Sequence, residues 1–230
     1  MHVPDGFLDA PTSVGTAVIA AAGIGIALWR SRSTLDDRSA PMAGMVAVFI
    51  FAAQMLNFPV GAGTSGHMLG GALAAVLVGP WTATLCVSVV LVVQALLFAD
   101  GGITALGTNV TLMGIVGVWV GWLAFRAALA LLPRRTGSVP VAAAIGAFVS
   151  VPVAALGFVG LYAIGGQAPI PLEALTTAMV GWHVLIGLGE SVITFLVVAS
   201  ISATRPDLVS GSVGRRPADL ATAGSREVAA

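Results

Sequence analysis

The chain holds three histidines, at positions 2, 67 and 183, and the first stands beside Met1. A histidine next to a free amino terminus is a chelating unit. Its α-amine, the His2 amide nitrogen and a His2 ring nitrogen can close fused rings about one cation. Nitrogen donors in a tetragonal arrangement suit Ni(II), Cu(II) and, less tightly, Co(II), and do not suit Mg or Ca. A planar set needs a fourth donor. His67, which follows Gly63-Thr64-Ser65-Gly66, supplies one if the two segments meet. The ordinary alternatives are a second residue of an exposed terminus for His2 and a hydrogen-bonded residue opening a helix for His67. The chelate also requires an untrimmed Met1. A bulky second residue protects an initiator methionine, and residues 1–11, with Asp5 and Asp9 but no arginine, lack the n-region of a signal peptide.

Other polar groups lie in apolar surroundings, where ionisable side chains are costly and usually functional. Asp100 precedes Gly101-Gly102 near a helix end, and Glu190 lies well inside the last helix. His183 is about two turns before Glu190 on nearly the same face, too far for direct contact. Gln54, Asn57 and Ser65, near or in the Gly-rich loop, together with Asp100, His183 and Glu190, are candidates to orient the ligand residues from behind. Interhelical hydrogen bonding accounts equally well for Gln54, Asn57, Gln94 and Asn109.

The elements that must position these groups are membrane helices. Of 230 residues, 57% are hydrophobic and 9% charged, a composition of long apolar spans rather than of a soluble domain. Spans are expected at 12–29, 41–58, 81–98, 108–132, 139–164 and 174–202. The Gly-rich stretch 59–66 tolerates membrane depth only if buried in protein or lining a cavity. It is read as a loop dipping into the bundle, with His67 opening a short seventh helix over 67–78. Seven crossings with the amino terminus outside place Arg30, Arg32, Arg38, Arg134, Arg135, Arg205, Arg215, Arg216 and Arg226 inside, and leave 1–11, 59–66, 99–107 and 165–173 free of arginine. This is a positive-inside pattern, N-out and C-in. Residues 204–230, rich in Arg, Ser, Ala and Gly, read as a disordered cytoplasmic tail after a single domain over 1–203. For the donors to meet, residues 1–11 must fold inward, and Pro4 with Asp5-Gly6 provides a turn. All ten basic residues are arginine, so a G-x-x-x-x-G-K-[ST] phosphate loop is excluded and any ATPase lies on another chain. The single cysteine, Cys86, excludes an internal disulfide and a cysteine-cluster metal site.

Four segments resemble the cobalt/nickel-specific substrate-capture component of energy-coupling-factor transporters: Met1-His2-Val3-Pro4-Asp5-Gly6-Phe7, Gly63-Thr64-Ser65-Gly66-His67-Met68-Leu69-Gly70-Gly71, Asp100-Gly101-Gly102-Ile103-Thr104-Ala105-Leu106-Gly107 and His183-Val184-Leu185-Ile186-Gly187-Leu188-Gly189-Glu190. The likeness spans residues 1 to about 203. It implies an all-α, seven-helix protein of a prokaryotic plasma membrane whose amino terminus plugs into the bundle. The implied cargo is Co(II) or Ni(II), held in square-planar fashion by the Met1 amine, the His2 amide and imidazole, and the His67 imidazole. Implied partners are a membrane coupling protein, cytoplasmic ABC ATPases and a small auxiliary membrane subunit, with no nucleic acid and no enzymatic activity in this chain. Cobalt is favoured over nickel only by the family's link to cobalamin synthesis.

Two other classes compete. Gly63-Thr64-Ser65-Gly66 fits the G-x-S-G pattern of intramembrane serine proteases, with Ser65 as nucleophile and His183 as base, but leaves Met1-His2 unused. A passive cation channel would line a pore with Asp100 and Glu190.

Overall fold

The computed structural model of the chain describes residues 1–32, 39–61, 64–133, 135 and 137–212. Arg38, Arg134, Arg215, Arg216 and Arg226, which enter the charge pattern, and Gly63 of the loop motif lie outside the described residues.

Asp9 starts the first helix, α1 (Ala10–Ser31), by accepting a hydrogen bond from the Thr12 amide at 2.9 Å, with Pro11 in the first turn. α2 (Ser39–Gln54) follows, then an antiparallel pair of short strands, β1 (Phe58–Gly61) and β2 (Thr64–Gly66). α3 (Gly71–Val78) is short, and α4 (Pro80–Leu97) begins with proline directly after Gly79, whose φ is 80°. α5 (Leu106–Leu131) runs through a π-helical stretch at Val110–Gly117. α6 (Ser138–Gly165) and α7 (Leu172–Thr204) complete the bundle. α1, α4, α5, α6 and α7 are each long and apolar enough to cross a bilayer, and α2 is a shorter apolar helix. The protein is a multi-pass membrane protein.

Three expectations change in detail. The second helix ends at Gln54, not Phe58, because Phe58 already belongs to β1. The stretch read as an irregular loop is a strand pair, with Phe58 opposite Gly66 and Pro59 opposite Ser65. Pairing satisfies main-chain groups that would otherwise be stranded in an apolar setting. The short helix opens at Gly71 rather than His67, because Gly70, at φ 74°, turns the chain from an extended approach into the helix. Of the expected tail, Pro206–Leu208 and Ser210–Ser212 form short 3-10 turns with Val209 buried, and residues 213–230 lie outside the described part.

α3 occupies the centre. It is apolar all round, its residues Gly71–Leu77 are buried, and it touches α4, α5, α6 and α7. A helix of that kind is stable only inside protein. Its close approach to α5 depends on Gly121, where a Cβ would sit 2.6 Å from Ala72 Cβ and 2.9 Å from its Cα.

Contacts tie the connecting segments together at two ends of the bundle. At one end Leu8 bridges to Gly166, the Val3 carbonyl accepts from Gly102, and Asn57 meets Asp100. At the other the Arg30 guanidinium lies 5.9 Å from the Trp81 ring centroid, and Gly211 packs against Phe125.

Candidate metal centre

The amino terminus is inside the protein. Met1 is 1% exposed and Val3 0%, and His2 is buried, whereas Pro4, Asp5 and Gly6 form an exposed turn. Phe7 re-enters against the rings of Phe158 and Tyr162, at centroid distances of 5.6 and 5.3 Å. The Asp9 amide donates to Gly165 at 2.7 Å and the Gln167 amide to Phe7 at 3.0 Å, tying the segment to the end of α6.

A second set of contacts fixes the first three residues. The Val3 amide donates to Asn109 Oδ1 at 2.7 Å, and Asn109 Nδ2 donates to the Val3 carbonyl at 3.2 Å. Gly102 also donates to that carbonyl, at 2.9 Å, and Thr104 donates its amide to Asp5 Oδ1 at 2.7 Å. Gly101 and Gly102 are required by proximity. A Cβ at Gly101 would lie 3.0 Å from His2 Nδ1, and one at Gly102 would collide with the Asp5 amide. The segment 100–104 is thus a cradle for residues 1–5.

Inside this cradle the His2 ring stacks on the His67 ring, with centroids 4.6 Å apart and planes inclined by 29°. His67 Nδ1 meets the Met68 carbonyl at 2.8 Å, so Nδ1 carries the proton, and Nε2 is buried without a hydrogen-bond partner among the described residues. His2 Nε2 lies 3.5 Å from Asp100 Oδ2. That is too long for a hydrogen bond, and Nε2 is buried with no hydrogen-bond partner among the described residues; Nδ1 is the ring nitrogen nearer the backbone.

The electrostatics favour uncharged donors. Burial pushes the Met1 amine from its usual value near 8 down to about 4, partly offset by Asp100. Burial, and then the amine's charge, pushes His2 from 6.5 to about 3. His67 is held well below its usual range, by burial first and then by the charges of the amine, His2 and His183. Burial raises the Asp100 carboxyl, opposed by the amine and by Asn57. Amine and imidazole nitrogens that stay deprotonated at neutral pH are what a transition-metal cation needs. Among the described residues no three His, Cys, Asp or Glu side chains converge. Side chains of these types do not by themselves supply four donors at this place among the described residues.

The other expected residues fall into two groups. Glu190, buried on α7, accepts from the Leu69 amide at 2.7 Å and the Gly70 amide at 2.9 Å, and Gln54 Nε2 donates to the Leu69 carbonyl at 2.8 Å. Both hold the segment that carries His67. Asn57 Nδ2 reaches Asp100 Oδ2 at 3.3 Å. Ser65 is half-buried on β2, two residues before His67. His183 is buried, with Nδ1 against the Met179 carbonyl at 2.7 Å and Nε2 without a hydrogen-bond partner among the described residues, so it makes no hydrogen bond to Ser65 of the kind a protease base needs. Of the residues assigned to interhelical hydrogen bonding, Asn109 instead clamps the amino terminus, and the buried Gln94 side chain has no hydrogen-bond partner among the described residues. Asn109 and Thr104 were missed as site residues. The available signal was their position in and just after the Asp100–Gly107 motif.

Fold and site together define a multi-pass helical membrane protein that buries its own amino terminus and sets the His2 ring against the His67 ring. Residues 2–208 match the family model described as cobalt uptake substrate-specific transmembrane region, and the chain belongs to that family. It is 42% identical over 210 residues to a putative fused nickel transport protein of Archaeoglobus fulgidus, covering 91% of this chain and 68% of that protein. It is 41% identical over 212 residues to a putative metal transport protein of Haloquadratum walsbyi, covering 91% and 93% of the two chains. A crystal structure of a transition metal transporter superposes with a TM-score of 0.83 at 30% identity, covering 94% of this chain and 100% of the other.

Proposed function

We propose that this protein is the substrate-specific membrane component of an energy-coupling-factor transporter for cobalt or nickel uptake in a prokaryotic plasma membrane. The cation is captured by the Met1 amine, the His2 amide and imidazole, and His67 Nε2. A membrane coupling protein, cytoplasmic ABC ATPases and a small auxiliary membrane subunit then drive its delivery. Seven helices, one short, with the amino terminus outside and the carboxyl terminus inside, put the site at the face from which cargo arrives. Residues 1–203 form the capture domain and 204–230 a cytoplasmic tail.

The observation that carries this reading is the buried His2–His67 stack beside a buried amino terminus. Capture requires dehydration of the cation and loss of the amide proton. The chain's residues contribute by exclusion of water, neutral donors and a fixed ring geometry, with no bond made or broken in a substrate. A planar four-nitrogen set disfavours Mg and Ca, and disfavours Zn, which prefers a tetrahedron. It does not reject Cu(II), so discrimination against copper rests on availability.

Calorimetric titration of the purified protein with Ni(II) and Co(II) tests the proposal, beside His2→Ala and His67→Ala. One-to-one binding that weakens about 100-fold or more in each variant is expected. Unchanged affinity in either variant would remove that residue from the site. Cation flux into liposomes holding this chain alone would favour the channel reading.

A further inference from the structure

His183 repeats the state of His67. In each ring Nδ1 faces a main-chain carbonyl, Met68 at 2.8 Å for His67 and Met179 at 2.7 Å for His183. In each, Nε2 is buried without a hydrogen-bond partner among the described residues. A carbonyl only accepts, so both Nδ1 atoms carry the proton and both Nε2 atoms present a lone pair. A buried acceptor left unmet is destabilising. A ring whose tautomer is fixed by a carbonyl, with the other nitrogen bare, is the form in which histidine binds metals.

The placement adds to this. His183 is 0% exposed and stands within electrostatic reach of both His67 and the Met1 amine. Eleven residues separate it from Leu172 at the start of α7, about 16 Å along the helix axis. Two turns further along, Glu190 grips the Leu69 and Gly70 amides, so α7 and the segment bearing His67 are fastened together. His183 is not a simultaneous partner of His2 and His67, since no three such side chains converge among the described residues.

We propose that His183 Nε2 is a donor for the same transition-metal cation at a second position, which the ion takes with His67 as it leaves the His2 chelate. This rests on the capture site described under Proposed function. The ion then exchanges one imidazole for another while His67 stays bound, so it need not regain a full water shell inside the bundle. His183 acts here as a binding residue, and no covalent step is involved.

Cu(II), whose bound imidazoles can be counted by pulsed electron paramagnetic resonance, is the probe, used on the full chain. His2→Ala breaks the first site and should hold one Cu(II) through two imidazoles. Adding His183→Gln should leave one imidazole and weaken Cu(II) binding about tenfold or more. In the otherwise unchanged chain His183→Gln should keep planar Ni(II) binding within about threefold. His183→Ala should behave alike, and monodisperse elution of each variant excludes misfolding. One imidazole in His2→Ala, unaltered by His183→Gln, overturns the proposal. Loss of the planar Ni(II) complex in His183→Gln alone also overturns it, because His183 would then belong to the first site. Failure of the underlying capture reading has another signature, in which the unchanged chain forms no planar Ni(II) complex.

Discussion

Asn109→Ala isolates the clamp on the amino terminus. The Val3 amide loses its acceptor, Asn109 Oδ1 at 2.7 Å, while the Val3 carbonyl keeps its bond from Gly102 at 2.9 Å. The loss is therefore chiefly one buried N–H left unmet, which costs about 1–3 kcal/mol. Taking about 2 kcal/mol, the undocked fraction of residues 1–8 rises about 30-fold. A direct assay exists because the chain has no lysine, so the Met1 α-amine is its sole aliphatic amine. An amine-acylating reagent at pH 8 reacts with it only when the segment leaves its pocket, and the labelling rate follows the undocked population. Mass spectrometry should show labelling about 30-fold faster in Asn109→Ala than in the unchanged chain, with saturating Ni(II) suppressing it in both. Rates within twofold of each other would refute the argument that this bond holds the terminus in place.

Other consequences follow from the same contacts. Gly102→Ala places a Cβ against the Asp5 amide and the Pro4 carbonyl carbon, backbone atoms that cannot swing aside; Ni(II) affinity measured by calorimetry should fall more than about tenfold while the variant elutes as folded protein. Glu190→Gln replaces one of two accepting oxygens with a donor that faces a main-chain N–H; a loss of about 1–3 kcal/mol in unfolding free energy and weaker Ni(II) binding are expected, and an unchanged melting curve would count against its grip on Leu69 and Gly70. The pH dependence has a definite sign. The undocked amine takes up a proton below about 8, whereas the docked one stays neutral down to about 4, so docking is intact above pH 8 and weakens as pH falls through that window. His2 adds to the effect below 6.5. Metal-free melting temperature should drop between pH 8 and pH 5, more steeply in the native chain than in an amino-terminally acetylated one, and equal slopes would contradict the assignment.

How much was legible in the sequence follows from the physics of each residue. Met1-His2 and His67 stood out because few residue types can bind a transition metal and this chain has three imidazoles. The long helices were legible from apolar length. The strand pair at Phe58–Gly66 was hidden, because Pro59 and the glycines carry turn signals and pairing across β1 and β2 is a tertiary outcome. The π-helical stretch Val110–Gly117 leaves no mark in an evenly apolar sequence. Glu190 was recognised as costly to bury, but its partners are main-chain amides 121 and 120 positions away, which no local pattern reveals. Asn109 looked like any polar residue in a membrane helix, since its role depends on where Val3 comes to rest.

The central claim is that the amino terminus itself is a ligand. One added residue before Met1 turns the amine into an amide and pushes chain into a pocket where Met1 is 1% exposed. Titration with Ni(II), followed by the visible absorption of a planar nitrogen complex, should give a one-to-one complex for the native start and none for the extended one. The same band with the same affinity in both proteins would contradict the account.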